Sequence, residues 1–322
     1  MVKPLPKRFH WAAALFLVAC SSACARPSAA PTRHTIRIGT GTQRGNYYAV
    51  GVALARTFAT ALPDVDAEVK VTGGTMANLD ALQNGSADVV FSFADVAYAA
   101  YVGGPGDQRK PFAGLRALAL LQLLPVQLVV SDRSPVHDVR DLAGRKVLYI
   151  GGGSGAAEAA ERILRAYGVD PKSVLVQPTH SVEESIADLS SGKLDAMFVL
   201  SRYPVDNVSG ALEKGSHLMP LTGDPIEHLH KDYPFFRPML IAGGAYPRQP
   251  LPVRTIGVNS LLLCRVDLDE GLVYRLTKAL FQSLAEQSNE LLWSVDLDRA
   301  AATPIPLHAG AARYYREREL FP

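Results

Sequence analysis

The chain has 322 residues, 48% of them hydrophobic and 20% charged, with a formal charge of +2. That composition excludes a disordered chain and suits one large α/β unit or two lobes of ordinary domain size around a substantial core. Charges of both signs are mixed without a basic run, which excludes the phosphate-tracking surface of a nucleic-acid binder.

At the N-terminus, Lys3, Lys7 and Arg8 precede the apolar run 11–19, WAAALFLVA. A basic segment followed by an apolar one too short to span a bilayer reads as a secretory signal peptide, residues 1–20. Leu17-Val18-Ala19-Cys20 resembles a bacterial lipobox, with Cys20 as the lipidated residue that would anchor the exported chain to a membrane facing the periplasm. Ala23-Cys24-Ala25 offers ordinary signal cleavage as the alternative. Residues 21–33, SSACARPSAAPTR, have the composition of a flexible tether with a reach of about 20 Å. Of the three cysteines only Cys264 lies beyond this leader, within the apolar run 258–266, where it is expected to pack in a strand rather than join a disulfide framework.

From residue 34 the chain repeats one pattern: a β-branched run, a Gly/Ser/Thr turn, then a segment of helical period. Residues 35–60, 67–85 and 87–103 follow it, the grammar of parallel βαβ units. Thr75 is expected to cap the helix that Asn84-Gly85 ends, and Asp95 to cap the next. The apolar stretch 117–131 is long enough for a strand crossing from one body to another. A second series follows at 146–168, 174–192 and 194–212, with Gly168 closing the helix begun by Ser154 and a capping box formed by Ser181 and Glu184. The apolar run 251–266 and the helix-period segment 270–287 then return to the first body. Two crossings make a hinge, so the expected division is lobe I, residues 34–125 with 250–322, and lobe II, residues 126–249. In open α/β sheets ligands bind beyond the carboxyl ends of the strands.

Those strand ends hold the candidate chemistry. Residues 151–155, GGGSG, stand directly before an amphipathic helix. Glycines expose backbone amides, and a helix N-terminus carries unpaired N–H groups and positive potential, which together favour an anion. Glycines placed there only for tight strand-to-helix packing are the alternative. Gly39, Gly41 and Gly45 do not match a dinucleotide fingerprint, and no Lys-Ser/Thr follows residue 155 to make a Walker loop. Gly152-Gly153-Ser154-Gly155-Ala156 approaches a nucleophile elbow, which keeps a secreted serine hydrolase using Ser154 as an alternative; its one downstream base, His308, has no evident acid partner. His228 and His230 beside Asp232 lack a further ligand for a zinc site, and His34, His137, His180 and His217 are isolated, so no metal or cofactor is expected.

Six segments in order at matching spacing make residues 34–318 resemble the solute-binding receptors of TRAP-type transporters in the TAXI family. They are Gly45-Asn46-Tyr47-Tyr48; residues 72–88, TGGTMANLDALQNGSAD; Asp95-Val96-Ala97-Tyr98; residues 151–155; residues 192–198, GKLDAMF; and residues 305–317, IPLHAGAARYYRE. The resemblance implies a two-lobed α/β fold of the periplasmic-binding-protein type II class, with a hinge and an inter-lobe ligand cleft. It implies a non-enzymatic receptor that closes over a small carboxylate, amino acid or dicarboxylate-like, and delivers it to a TRAP-type membrane permease or a sensor. A protein of the same fold acting as an exported sensor or scaffold without transport is the alternative.

The ligand-binding set implied is Thr42, Arg44, Gly45, Tyr47 and Tyr48 from the first loop, Thr75 and Asn78 from the second, Phe93 and Asp95 from the third, and Ser154, Gly155, Arg202 and Tyr203 from the second lobe. Arg44 either pairs with a carboxylate or points to water, and only one of Tyr47 and Tyr48 can face the cleft. Thr75 and Asn78 either meet an oxyanion or serve the helix start. The family commonly has a polar pair where Phe93-Ala94 stand, so side-chain donors are lost here. It tends to place Gly-Gly where this chain has Ser201-Arg202 before Tyr203-Pro204. Arg202 either forks a ligand carboxylate or bridges to Asp206 or Glu213. The tail 313–322 is expected to form a terminal helix bracing the lobes.

Overall fold

A computed structural model describes residues 1–2, 33–43, 45–103, 110–150, 154–178, 181–285 and 295–320. Arg33–Pro322 forms one compact unit and contains every element below; Cys20, in the unit Met1–Thr32, lies outside the described residues.

The first half contains β1 (His34–Gly39), α1 (Asn46–Ala61), β2 (Val65–Lys70), α2 (Thr75–Gln83), β3 (Val89–Phe93) and α3 (Ala94–Val102). β1 pairs in parallel with β2 and β3, as the βαβ pattern requires. α1 turns Tyr47, Val50, Leu54 and Phe58 inward at helical spacing. Gly51 lets it seat on the sheet, since a Cβ there would overlap Thr40 Cγ2. All five residues of β3, VVFSF, are buried, which fits a central strand covered on both faces.

After β4 (Leu115–Ser131) come β5 (Lys146–Ile150), α4 (Ser154–Ala166), β6 (Leu175–Val176), α5 (Val182–Ser191) and β7 (Ala196–Leu200). They are followed by α6 (Asp206–Glu213), β8 (Ser216–Met219), α7 (Asp224–Asp232) and β9 (Phe236–Ile241). β10 (Val253–Arg265), α8 (Glu270–Ala285) and α9 (Ala309–Glu317) complete the chain. The strand order is β2-β1-β3-β10-β4-β7-β5-β6, with β8 on β4 and β9 on β10. β5 is parallel to β6 and β7, whereas β4 and β10 run antiparallel to all their neighbours.

These two long strands join the halves. β4 pairs with β10 from Leu115 to Pro125, and from Val126 onward with β7 and β8. β10 starts against β9 and ends against β3. Register shifts between Asn259 and Leu261 and between Leu262 and Leu263 bulge the ribbon, and a bulge bends a strand where it lies. Alternation along β7 serves two cores: Ala196, Phe198 and Leu200 join the large one shared with the first half, while Met197 and Val199 pack with Val129, Leu148, Leu189 and Val208.

Local signals hold at several ends. Ser181 Oγ accepts from Glu184 N at 3.1 Å while Glu184 Oε2 accepts from Ser181 N at 3.0 Å, closing the capping box. Gly168 follows α4 at φ 77°, and Cys264 is buried in β10, where burial pushes its thiol up. Two expected caps shift. Gly74, at φ 105°, is the N-cap of α2, so Thr75 is already inside the helix; Phe93 caps α3, leaving Asp95 in its first turn. Glycine reaches that φ without strain, so the turn closes one residue early. The terminal helix α9 packs on α8 and on the first part of β4, with Tyr315 Oη donating to Leu118 O at 2.8 Å, so it braces one half rather than both. β8 and β9 have no clear sequence period: β8 spans four residues, and β9 carries Pro238, a residue tolerated in edge positions.

Candidate functional site

α2 begins after the Gly73–Gly74 turn, and its first turn meets that of α4 across the β4–β10 joint. A Cβ on Gly155 would overlap Phe93 Cδ2, lie 2.7 Å from Phe93 Cε2 and stand 3.0 Å from Thr75 Oγ1. Only a residue without a Cβ permits that approach.

Around this contact lies a group of buried polar atoms with no hydrogen-bond partner: Tyr47 Oη, Thr75 Oγ1, both carboxylate oxygens of Asp95, and Arg162 Nε. Tyr47 stacks on Phe91 at 5.1 Å between ring centroids and leans on Phe93 at 5.4 Å. Asp95 is fully buried, and its Oδ2 lies 3.7 Å from Arg162 Nε, which comes from α4 on the other side of the joint. The Arg162 guanidinium sits over the ring of Tyr233, 5.0 Å from its centroid. Burial dominates the electrostatics: it pushes the Asp95 carboxyl up to about 6 against the pull of Arg162 and the Val96 amide, with Glu158 adding to the rise. Burial likewise raises the Tyr47 hydroxyl far above its ordinary value, helped by the Asp95 charge. Polar groups removed from water without partners cost free energy, so a set of them at one place is a functional signal. Asn46 and Tyr149 also each carry a buried polar atom without a partner. Asn46 Nδ2 donates to Gln122 Oε1 at 3.4 Å beside the bulged strands while its Oδ1 has no partner, and the Tyr149 hydroxyl, at the end of β5, is also unpartnered and pushed up to about 12 by burial.

Of the expected residues, Tyr47, Thr75, Phe93, Asp95 and Gly155 are brought together. Tyr48 is half-buried, so Tyr47 is the one that packs inward. Thr42 is exposed, and its carbonyl accepts from Gly45 N at 2.8 Å in the turn before α1. Asn78 is fully buried, but its Nδ2 donates to Thr40 O at 2.5 Å and Phe91 O at 2.8 Å, and its Oδ1 accepts from Thr72 Oγ1 at 2.7 Å. Its amide therefore ties the loops after β1 and β2 to the β3 strand. Arg44 lies outside the described residues, as does the side chain of Ser154 at the start of α4. Arg202 is exposed two residues beyond β7 and makes no ion pair with Asp206 or Glu213. Tyr203 donates to Leu240 O at 3.3 Å, within the second half.

Sequence reading missed Arg162, Asn46, Gln122 and Tyr149. Arg162 shares its helix with Glu161 and Arg165, an exposed i,i+4 pair at 2.8 Å, so in sequence it is one more charge on a solvated face. His308 is a helix cap: its Nδ1 accepts from Gly310 N at 3.2 Å. Its backbone N bonds Ala117 O, about 16 Å along β4 from Gln122. His230 bonds the carbonyl of Phe236 at 2.5 Å, and among the described residues no three His, Cys, Asp or Glu side chains could hold a metal. No helix among them is long and apolar enough to cross a membrane.

The architecture is that of the periplasmic binding proteins, a two-lobed α/β fold of type II. It is similar to MatC from Rhodopseudomonas palustris with bound malate, at 17% identity and TM-score 0.53 over 89% of this chain and 97% of that one. It is similar to a protein of Bordetella bronchiseptica RB50, at 17% identity and TM-score 0.54 over 90% of each chain. The periplasmic binding protein BugD matches at 13% identity and TM-score 0.52, over 89% of this chain and 94% of that one. The model of the NMT1-like family matches residues 38–318, and the chain belongs to that family.

Proposed function

We propose that the chain is an exported solute-binding receptor of the TAXI type, which closes over a small carboxylate and delivers it to a TRAP-type membrane permease. Residues 34–125 with 250–322 act as lobe I and residues 126–249 as lobe II, while Cys20 carries the lipid that holds the tether to a membrane in the periplasm. The observation that carries this reading is the unpartnered group of Tyr47, Thr75, Asp95 and Arg162, drawn from both sides of a two-strand joint and flanked by two helix N-termini. Helix N-termini favour anions, and the closed state gains only what the ligand binds better there than in the open state. Membership of the NMT1-like family and the malate held by MatC support a small-molecule ligand. The reading is of a binding protein rather than an enzyme, because recognition and closure need no nucleophile and base.

A thermal-shift screen of the purified exported protein against amino acids, dicarboxylates and keto acids tests it, with mass spectrometry of whatever co-purifies. One class should raise the melting temperature by several degrees. Absence of stabilisation by every small carboxylate would favour the sensor or scaffold role instead.

A further inference from the structure

We propose that Asp95 and Arg162 form a proton-linked anion site: an anionic ligand group takes the Arg162 guanidinium, and Asp95 becomes a neutral acid that donates a hydrogen bond to it. This rests on the receptor reading and names its ligand chemistry.

The pair is incomplete as a salt bridge. Where this protein builds a structural one, Arg37 meets Asp88 with two bonds of 2.8 Å, Nε to Oδ2 and Nη2 to Oδ1. Asp95 and Arg162 stand 3.7 Å apart, beyond hydrogen-bond distance, although Nε and both carboxylate oxygens are buried. Their backbones come from opposite sides of the joint, so they face one another only when α3 and α4 are together. The groups packed around Asp95 are Tyr47 on α1, the Thr75 hydroxyl on α2, and Arg162 with half-buried Glu158 on α4; Tyr233, before β9, lies beneath the guanidinium. That is one cation against two acids.

An anion entering this group meets net repulsion unless one acid is neutral. Asp95 is the one that burial already drives toward its protonated form, and a second negative charge beside it acts in the same direction. The proton comes from solvent and stays on Asp95, which then presents an O–H in place of a repelling oxygen. Anion and proton binding are therefore linked. A zwitterionic ligand with its ammonium on Asp95 predicts the opposite, because it keeps the carboxylate ionised.

Titration calorimetry between about pH 5.5 and 8.5, in buffers of different ionisation enthalpy, distinguishes these, with succinate and L-glutamate as probes. Succinate affinity should fall by up to about tenfold per pH unit in the alkaline half of the range, with roughly one proton taken up per ligand. Asp95→Asn should take up none from this site, bind succinate at pH 8 as tightly as wild type does near pH 6, and lose the pH dependence. Arg162→Gln should bind at least tenfold more weakly throughout, with circular dichroism verifying its fold. Succinate binding without proton uptake, weaker binding by Asp95→Asn, or glutamate affinity that falls with acid would overturn the proposal while leaving the receptor reading intact. If neither these probes nor the wider carboxylate screen bind, the receptor reading fails and this one with it.

Discussion

Asp95 is a fully buried carboxylate whose cation, Arg162, stands 3.7 Å away, and that has a consequence for stability as well as for binding. Its folded-state value of about 6 lies above the ordinary 3.8. Its contribution is therefore fully present below about pH 3.8 and is lost as pH rises through 6, with about 3 kcal/mol as an upper bound. Asp95→Asn imitates the protonated side chain, so urea unfolding should find it more stable than wild type at pH 8 and no more stable at pH 4. A wild-type advantage at pH 8 would mean that the Arg162 pair outweighs the burial. Asp88 behaves oppositely: Arg37 and Arg265 hold it low despite burial, so its stabilisation is lost as pH falls through its lowered value. Arg202 is exposed and without an ion pair to Asp206 or Glu213, so Arg202→Ala should alter stability by no more than about 0.5 kcal/mol. As a rim charge it should act chiefly on the association rate. A loss of affinity of tenfold or more, from slower association or faster release alike, would make it a direct ligand contact.

At the scale of elements, the fit of α4 against β3 is set by one missing side chain. Gly155 brings the start of α4 onto the Phe93 ring and the Thr75 hydroxyl, and a methyl group there overlaps the ring. Alanine favours helix over glycine, so Gly155→Ala should cost the isolated helix nothing while holding α4 away from α2 and α3. The expected result is a ligand affinity reduced at least tenfold, with a melting temperature close to wild type. Phe93→Ala in the same chain should restore part of the affinity by clearing the overlap. Unchanged affinity in the single variant would show that this contact is not made in the bound state. Asn78 illustrates the complementary case: a buried amide whose bonds to Thr40, Phe91 and Thr72 hold two loops in place, so that what it supports is the position of Tyr47 and Phe93.

At the scale of the molecule, β4 and β10 are the shared ribbon, and at its bulges Asn259 Nδ2 donates to Leu121 O and Ser260 Oγ to Gln122 O, both at 3.3 Å, beside the Gln122 side chain that accepts from Asn46. A joint of two paired strands permits a bend while conserving the ladder on either side of it, which suits closure over a ligand. α8 and α9 add mass to one side only, since both pack with the first half. The proposed anchor belongs to this scale too. Cys20→Ser removes the sulfur that a thioether requires, so the variant should appear in the soluble periplasmic fraction while wild type stays with membranes. Equal membrane retention of both in a cell fractionation would remove the lipobox reading.

Much was legible in the sequence by itself because it is local. Glycine-rich turns before helices, the Ser181–Glu184 box, the stop at Gly168 and the alternation of strand and helix depend on backbone sterics and on residues within a few positions of one another. The two crossing strands were legible because apolar runs as long as 117–131 and 251–266 must be covered on both faces. Tertiary structure alone decided that β10 inserts antiparallel between β3 and β4, since strand order depends on pairings between residues far apart in the chain. It alone decided that Thr75 and Asp95 lie inside their helices with unsatisfied polar atoms, and that Arg162 faces Asp95. In the sequence Arg162 is indistinguishable from its solvated neighbours. Burial is a property of what an opposing element brings against a side chain, and that element lies here across the joint, some seventy residues away along the chain.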